Sequence, residues 1–230
     1  MGFFPPGYKS AVESEKGSSE PNPRYFEFTN KYLKDGETAQ FRICGDFDTG
    51  HVVCGFQYFT MEGRIKRFPN YPENYLSDIG LTYQAKKEGG DEKDKPKYFL
   101  AFTAFSPDKD DFVCVTVTQK NLRVQIEEIL AMEDYTDGPG PANFTITVKR
   151  KGTGKDTQWI VTPTLKKASA AFTKKWEEAK DSIWLPALYV SADPFAGKPA
   201  EAKLDGLPPM KRDELGADTE VATAGISKDW

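Results

Sequence analysis

The spacing of apolar and polar positions changes character several times along the chain. Aromatic residues cluster at Tyr25, Phe26, Phe28 and Tyr32, and a turn follows at Asp35-Gly36. Residues 39–46 (AQFRICGD) then alternate, with Phe41 and Ile43 on one face and Arg42 and Cys44 on the other. A period of two predicts a strand. After a turn at Asp48-Thr49-Gly50 comes a second extended run, 51–60 (HVVCGFQYFT), in which Gly55 suggests a bulge. Glu62-Gly63 turns into a short basic strand, 64–68. Pro72 is placed to open a short helix, and 89–97 (GGDEKDKPK) reads as a solvated hinge.

The next two runs, 97–105 (KYFLAFTAF) and 111–118 (DFVCVTVT), flank SPDKD and predict a hairpin. A helix over 119–132 follows, with Thr118 as N-cap and a buried stripe of Leu122, Ile126, Ile129 and Leu130. A second hairpin, 143–151 with 157–164, turns at Gly152-Thr153-Gly154. A last helix carries Leu165, Ala168, Phe172, Trp176, Ala179 and Ile183 at spacings of three or four. Taking 39–60 as one long bent strand gives five strands with a helix between the third and fourth. That is the order of an OB-type barrel; a small sandwich crossed by a helix is the alternative. The expected fold is therefore mainly β, a five-stranded OB-type barrel plus a C-terminal helix and disordered ends. Its expected divisions are a flexible arm (1–24), the OB domain (25–164), the C-terminal helix (165–185) and a Pro/Ala-rich, acidic tail (186–230). In that order the loops 61–96 and 151–156 border the groove in which such barrels hold oligonucleotides.

Composition sharpens this. Of 230 residues, 38% are hydrophobic and 29% charged, low in apolar content for a chain packed throughout. No apolar run approaches the ~18 residues that span a bilayer, and the start lacks the pattern of a signal peptide. A soluble protein of the cytoplasm, without membrane contact, is expected. The net charge of −4 is local: residues 213–230 hold five carboxylates against Lys228, which leaves 30 basic and 30 acidic residues elsewhere. A neutral body thus carries an acidic tail ending in Trp230.

Candidate chemistry centres on interleaved rings and cations. Binding a single strand needs cations along the phosphates and flat rings against the bases. Phe56, Tyr58 and Phe59 run straight into Arg64, Lys66 and Arg67, and Arg42 lies on the non-core face of its strand. On 97–105, Lys97, Phe99 and Phe105 share one face and Tyr98, Leu100 and Phe102 the other; periodicity does not say which is core. Lys149, Arg150 and Lys151 lead into the Gly152–Gly154 turn. Cys44, His51, Cys54 and Cys114 are the only soft metal-ligand set, and their spacing fits no tight zinc knuckle, so free thiols and no metal or other cofactor are expected. No carboxylate pair, nucleophile motif or phosphate-cradling loop marks an enzyme.

Four ordered stretches carry a family resemblance: FRICGD (41–46), GFQYFTMEGRIKRFP (55–69), VTVTQKNLRVQIEEIL (115–130) and FTITVKRKGTGKDTQWIVTP (144–163). Together they resemble the replicative single-stranded DNA-binding proteins of tailed bacteriophages. The resemblance covers about residues 25–163. It implies an OB fold that coats single-stranded DNA in replication and recombination within the infected host cell. It also implies an acidic C-terminal segment that meets replication proteins such as a polymerase, helicase or primase. By position it assigns nucleic-acid contacts to Arg42, Phe56, Tyr58, Phe59, Arg64, Arg67, Lys149 and Lys151. Some members carry zinc; the Cys-x-x-Cys that holds it is missing here. The rival functions are a nucleic-acid-processing enzyme and a β-barrel virion or interaction protein without DNA affinity.

Overall fold

The computed structural model describes residues 22–29, 31–59, 64–72, 96–131 and 142–199. The strands are β1 (Tyr25–Glu27), β2 (Thr38–Ile43), β3 (Val52–Phe59), β4 (Ile65–Phe68), β5 (Lys97–Ser106), β6 (Asp111–Val117), β7 (Phe144–Lys151) and β8 (Gln158–Leu165). Helix α1 (Lys120–Leu130) lies between β6 and β7, and α2 (Ala170–Ala179) follows β8. The expected short helix after Pro72, the arm before residue 22 and the acidic stretch 213–230 lie outside the described residues.

The two predicted hairpins form in register, Leu100↔Val117 to Ser106↔Asp111 and Phe144↔Leu165 to Lys151↔Gln158. The expected long first strand is two strands, because residues 44–51 loop out between β2 and β3. Thr103 of β5 holds both sides of that loop: its carbonyl accepts from the Cys44 N–H and its own N–H donates to the His51 carbonyl. Gly55 makes no bulge, since Cys54↔Leu100, Gly55↔Phe99 and Phe56↔Tyr98 pair without an extra residue.

A closed five-stranded barrel would pair β6 with β8. Instead β6 pairs in parallel with β1, Tyr25↔Cys114 to Glu27↔Thr116, and β8 pairs with β7 alone. The molecule is mainly β, an open mixed sheet of eight strands with two helices, and the expectation of a closed barrel is corrected accordingly. The aromatic cluster at 25–33 is the reason. Phe26 and Phe28 both pack on Phe41, with ring centroids 4.9 and 6.0 Å away, which lays β1 beside β6.

Helix α1 fills the opening. Its stripe of Leu122, Ile126 and Ile129 is buried against Phe41, Phe102, Phe144 and Ile146. Gln119, not Thr118, takes the cap position, and its side-chain amide donates to the Phe28 carbonyl. Six residues on, Gln125 meets the unpaired edge of β8: its Nε2 donates to the Trp159 carbonyl (3.1 Å) and its Oε1 accepts from the Val161 N–H (3.2 Å). A single side-chain amide thus satisfies two edge groups that a neighbouring strand would otherwise bond.

A second core lies on the outer face of β3, β5 and β6. Ser169 caps α2 by accepting from the Phe172 N–H (3.2 Å). Trp176 (1% exposed), Ile183 and Leu185 (0%) then cover Val53, Phe99, Ala101, Phe112 and Cys114. Residues 186–196, read from sequence as part of the tail, belong to this cover. Pro186, Ala187 and Leu188 are buried, and the Tyr189 hydroxyl donates to the Cys54 carbonyl (2.6 Å). The predicted stripe holds at Phe172 and Trp176, but Leu165 ends β8 and is 63% exposed.

His51 joins the cover to the loop between β2 and β3. Its Nε2–H donates to the Lys180 carbonyl (3.1 Å), its Nδ1 lies 2.9 Å from the Thr49 hydroxyl, and its ring packs edge-on to Trp176. Burial lowers its pKa; the Lys180 carbonyl, Asp46 and Asp181 oppose that shift and the Lys180 ammonium adds to it. The unfolded chain therefore takes up a proton that the fold resists. The contribution of His51 to stability is full above the ordinary histidine value of about 6.5 and is lost as pH falls below it. Between about pH 7 and pH 5, melting temperature should drop more steeply for the native chain than for His51→Gln; parallel curves would refute this.

Candidate nucleic-acid interface

Paired residues on neighbouring strands point to the same side, so the registers sort the candidate contacts. Gln57 pairs with Arg67 and with Lys97, which puts these three on the outer face. Phe56 pairs with Phe68 and Tyr98, and Tyr58 with Lys66, which puts these five on the opposite face.

Several candidates are structural. Arg42 is 6% exposed, and its Nη1 donates to the carbonyls of Ala142 (2.6 Å) and Lys166 (2.8 Å). Its guanidinium lies 5.3 Å from the Phe172 ring, and burial lowers its pKa. It ties the chain entering β7 to the chain leaving β8 and is not available to a phosphate. Phe99 is fully buried under the cover, against Tyr189. Phe105 is half-buried between Phe112, Phe172 and the Lys175 ammonium. Both faces of β5 carry rings because both faces are core. Arg67 lies 5.4 Å over the Phe99 ring and donates to Gln57 (3.1 Å); burial lowers its pKa. Tyr58 is 5% exposed and stacks on Phe68 at 5.3 Å and 24°. Arg42, Tyr58 and Phe99 are therefore buried in packing, and Arg67 and Phe105 are half-buried against their neighbours. The Phe59 side chain lies outside the described residues.

The rest remain accessible in two sets. At the β3–β4 end, Phe56 and Lys66 are half-buried, and Arg64 and Lys97 are exposed. Phe56 meets Tyr71 edge-on at 5.1 Å and Tyr98 at 5.3 Å, and Tyr71 is 44% exposed. Arg123 of α1 lies 4.3 Å over the Tyr98 ring and pairs with Glu127 at 3.3 Å. Burial raises the Glu127 carboxyl, with Arg123 opposing, and raises the Tyr98 phenol, with its bond to Cys54 adding to the effect. The result is an aromatic ledge edged by cations. Tyr71, Phe68, Tyr98 and Arg123 were not among the sequence candidates. Phe68 sits inside the basic run 64–68, and the pairing of Phe56 with Tyr98 is visible only once the register is known.

The second set, Lys149 and Lys151, is exposed at the other end of the sheet. Lys97 starts β5, Phe105 near its end pairs with Arg42, and Thr38, earlier in β2, pairs with Lys149. About twelve positions of extended chain separate the two sets, at most ~40 Å at ~3.3 Å per residue.

The thiols do not converge on a site. Cys44 and Cys114 face the outer core and Cys54 the inner one. Burial pushes Cys44 and Cys114 up to about 12 and Cys54 up to about 11. Among the described residues no helix is long and apolar enough to cross a membrane.

No protein-family model, curated protein or solved structure matches the chain.

Proposed function

We propose that this chain binds and protects single-stranded DNA, largely without sequence preference, during phage replication and recombination. The ledge carries this reading: Phe56, Tyr71 and Tyr98 present partly exposed rings, Lys66 projects on the same face, and Arg64 leads into β4, while Lys97 stands on the opposite face at the start of β5. Rings offer every base a stacking partner, and the cations neutralise phosphates, so affinity comes without base readout. An OB-type ancestry is part of the proposal. Both β2 and β3 pair with β5 and β2 also pairs with β7, and the hairpins β5–β6 and β7–β8 flank α1, which supports descent from that barrel without its closing pair. On this reading the acidic stretch 213–230 is the element that meets replication proteins.

Each phosphate contact contributes about −0.7 to the slope of log affinity against log salt. The two ledge cations Arg64 and Lys66 therefore require a slope at least as steep as about −1.4. Phe56→Ala should weaken binding by ~1–3 kcal/mol through loss of stacking. Titration of a labelled oligonucleotide across salt concentrations measures both. A slope near zero, or tighter binding to duplex, refutes the function.

A further inference from the structure

The outer surface of the sheet has two unlike halves. Over β3, β5 and β6 it is sealed by residues 170–196, with Trp176 and Leu185 at 1% and 0% exposure. A strand laid there would first have to expose that core. Over β2, β7 and β8, away from the end where Arg42 and Thr145 are buried, the side chains on the corresponding side are open. Thr38, Gln40, Lys149, Lys151, Ile160 and Thr162 are all exposed, Ile160 at 44%. Thr38 pairs with Lys149, which pairs with Ile160, so hydroxyl, cation and apolar contact stand in one row. Gln40 pairs with Thr147, which pairs with Thr162, and makes the next row. None of these residues is acidic, and neither lysine is ion-paired among the described residues. The sealed half differs: its cover carries Lys174 and Lys180 paired to Glu178 and Glu177.

We infer that a single DNA strand runs along the outer face of β2, β7 and β8, and not across β5 and β6. This rests on the proposed strand-binding function and gives it a second surface, distinct from the ledge. Lys149 and Lys151 meet successive phosphates, since alternate residues of a strand project on one side. The Thr38 and Thr162 hydroxyls hydrogen-bond the sugar–phosphate chain, as does the second N–H of the Gln40 amide, whose nitrogen already donates to the Thr147 hydroxyl (3.2 Å), and Ile160 offers an apolar seat for a base. A short strand fits on the ledge alone, whereas a long one reaches both surfaces.

The test compares thymidine oligonucleotides of about 6 and about 30 nucleotides, within and beyond the ~4–16 that one OB-type fold covers. It uses the full chain, the combined variant Lys149→Gln/Lys151→Gln/Ile160→Ser, and the cover variant Lys174→Gln. The combined variant should bind the long strand about tenfold or more weakly at low salt, with a slope shallower by about 1.4 for two lost phosphate contacts. Its binding of the short strand and its melting temperature should stay the same. Lys174→Gln should change nothing. If the combined variant matches the native chain on the long strand, or Lys174→Gln weakens binding as much, this path is overturned while strand binding stands. If the native chain binds neither oligonucleotide, the function itself fails and the path with it.

Discussion

Gly55→Ala is expected to unseat β4. A Cβ at this position would stand 2.1 Å from the Phe68 carbonyl oxygen, 3.0 Å from its carbon and 3.1 Å from the Pro69 Cα. All three are backbone atoms, so no side chain can swing aside. Strand β4 has four residues and pairs only with β3, so little opposes its displacement. Overpacking of this kind costs about 1–3 kcal/mol. The functional loss should exceed the stability loss, because β4 supplies Lys66 and Phe68 and leads into Tyr71. Calorimetry and strand binding on the same sample decide this. Unchanged affinity in a variant that melts normally would show that the ledge does not depend on this close approach.

Arg42→Met should lower stability by about 2–6 kcal/mol, since two backbone carbonyls lose a charged donor at ~1–3 kcal/mol each. Arg42→Lys should recover only part of this, because an ammonium on a flexible stem does not reproduce the planar guanidinium seated against Phe172. Strand affinity of the folded variants should match that of the native chain. The resemblance to phage single-strand binders implies the reverse, an affinity loss without a change in melting temperature. Denaturant melts alongside oligonucleotide titrations separate the two roles. An affinity loss at unchanged stability would restore Arg42 as a contact.

Local patterns in the sequence carried most of the strands. SPDKD between two alternating runs located the β5–β6 hairpin, and the three-to-four spacing of Leu122, Ile126 and Ile129 located α1. Short elements with distant partners were not legible. The three residues of β1 pair with β6 some 89 positions away (Tyr25 with Cys114), and nothing in Tyr25-Phe26-Glu27 itself names that partner. The second core was half legible. Rings on both faces of 97–105 signal two buried faces, and the Phe172–Trp176–Ile183 stripe is an apolar surface in need of a partner. Joining the two observations would have removed Phe99 and Phe105 from the candidate contacts. Arg42 misled for another reason: on a strand that alternates, a cation opposite Phe41 and Ile43 looks solvent-facing whether water or a later helix covers it. Lys66, Lys97, Lys149 and Lys151 stayed accessible because strand ends and hairpin tips are seldom covered.

An open sheet leaves an edge on which another chain could add a strand, the usual first step towards aggregation. The sheet's edge strands are β1, β4 and β8, and β8 is a poor template. The Trp159 carbonyl and the Val161 N–H are already bonded to Gln125. Two residues on, Pro163 occupies the position where the next N–H would face outward, and proline has none to offer. The sheet thus stays open and, along β8, still gives a passing strand little to grip.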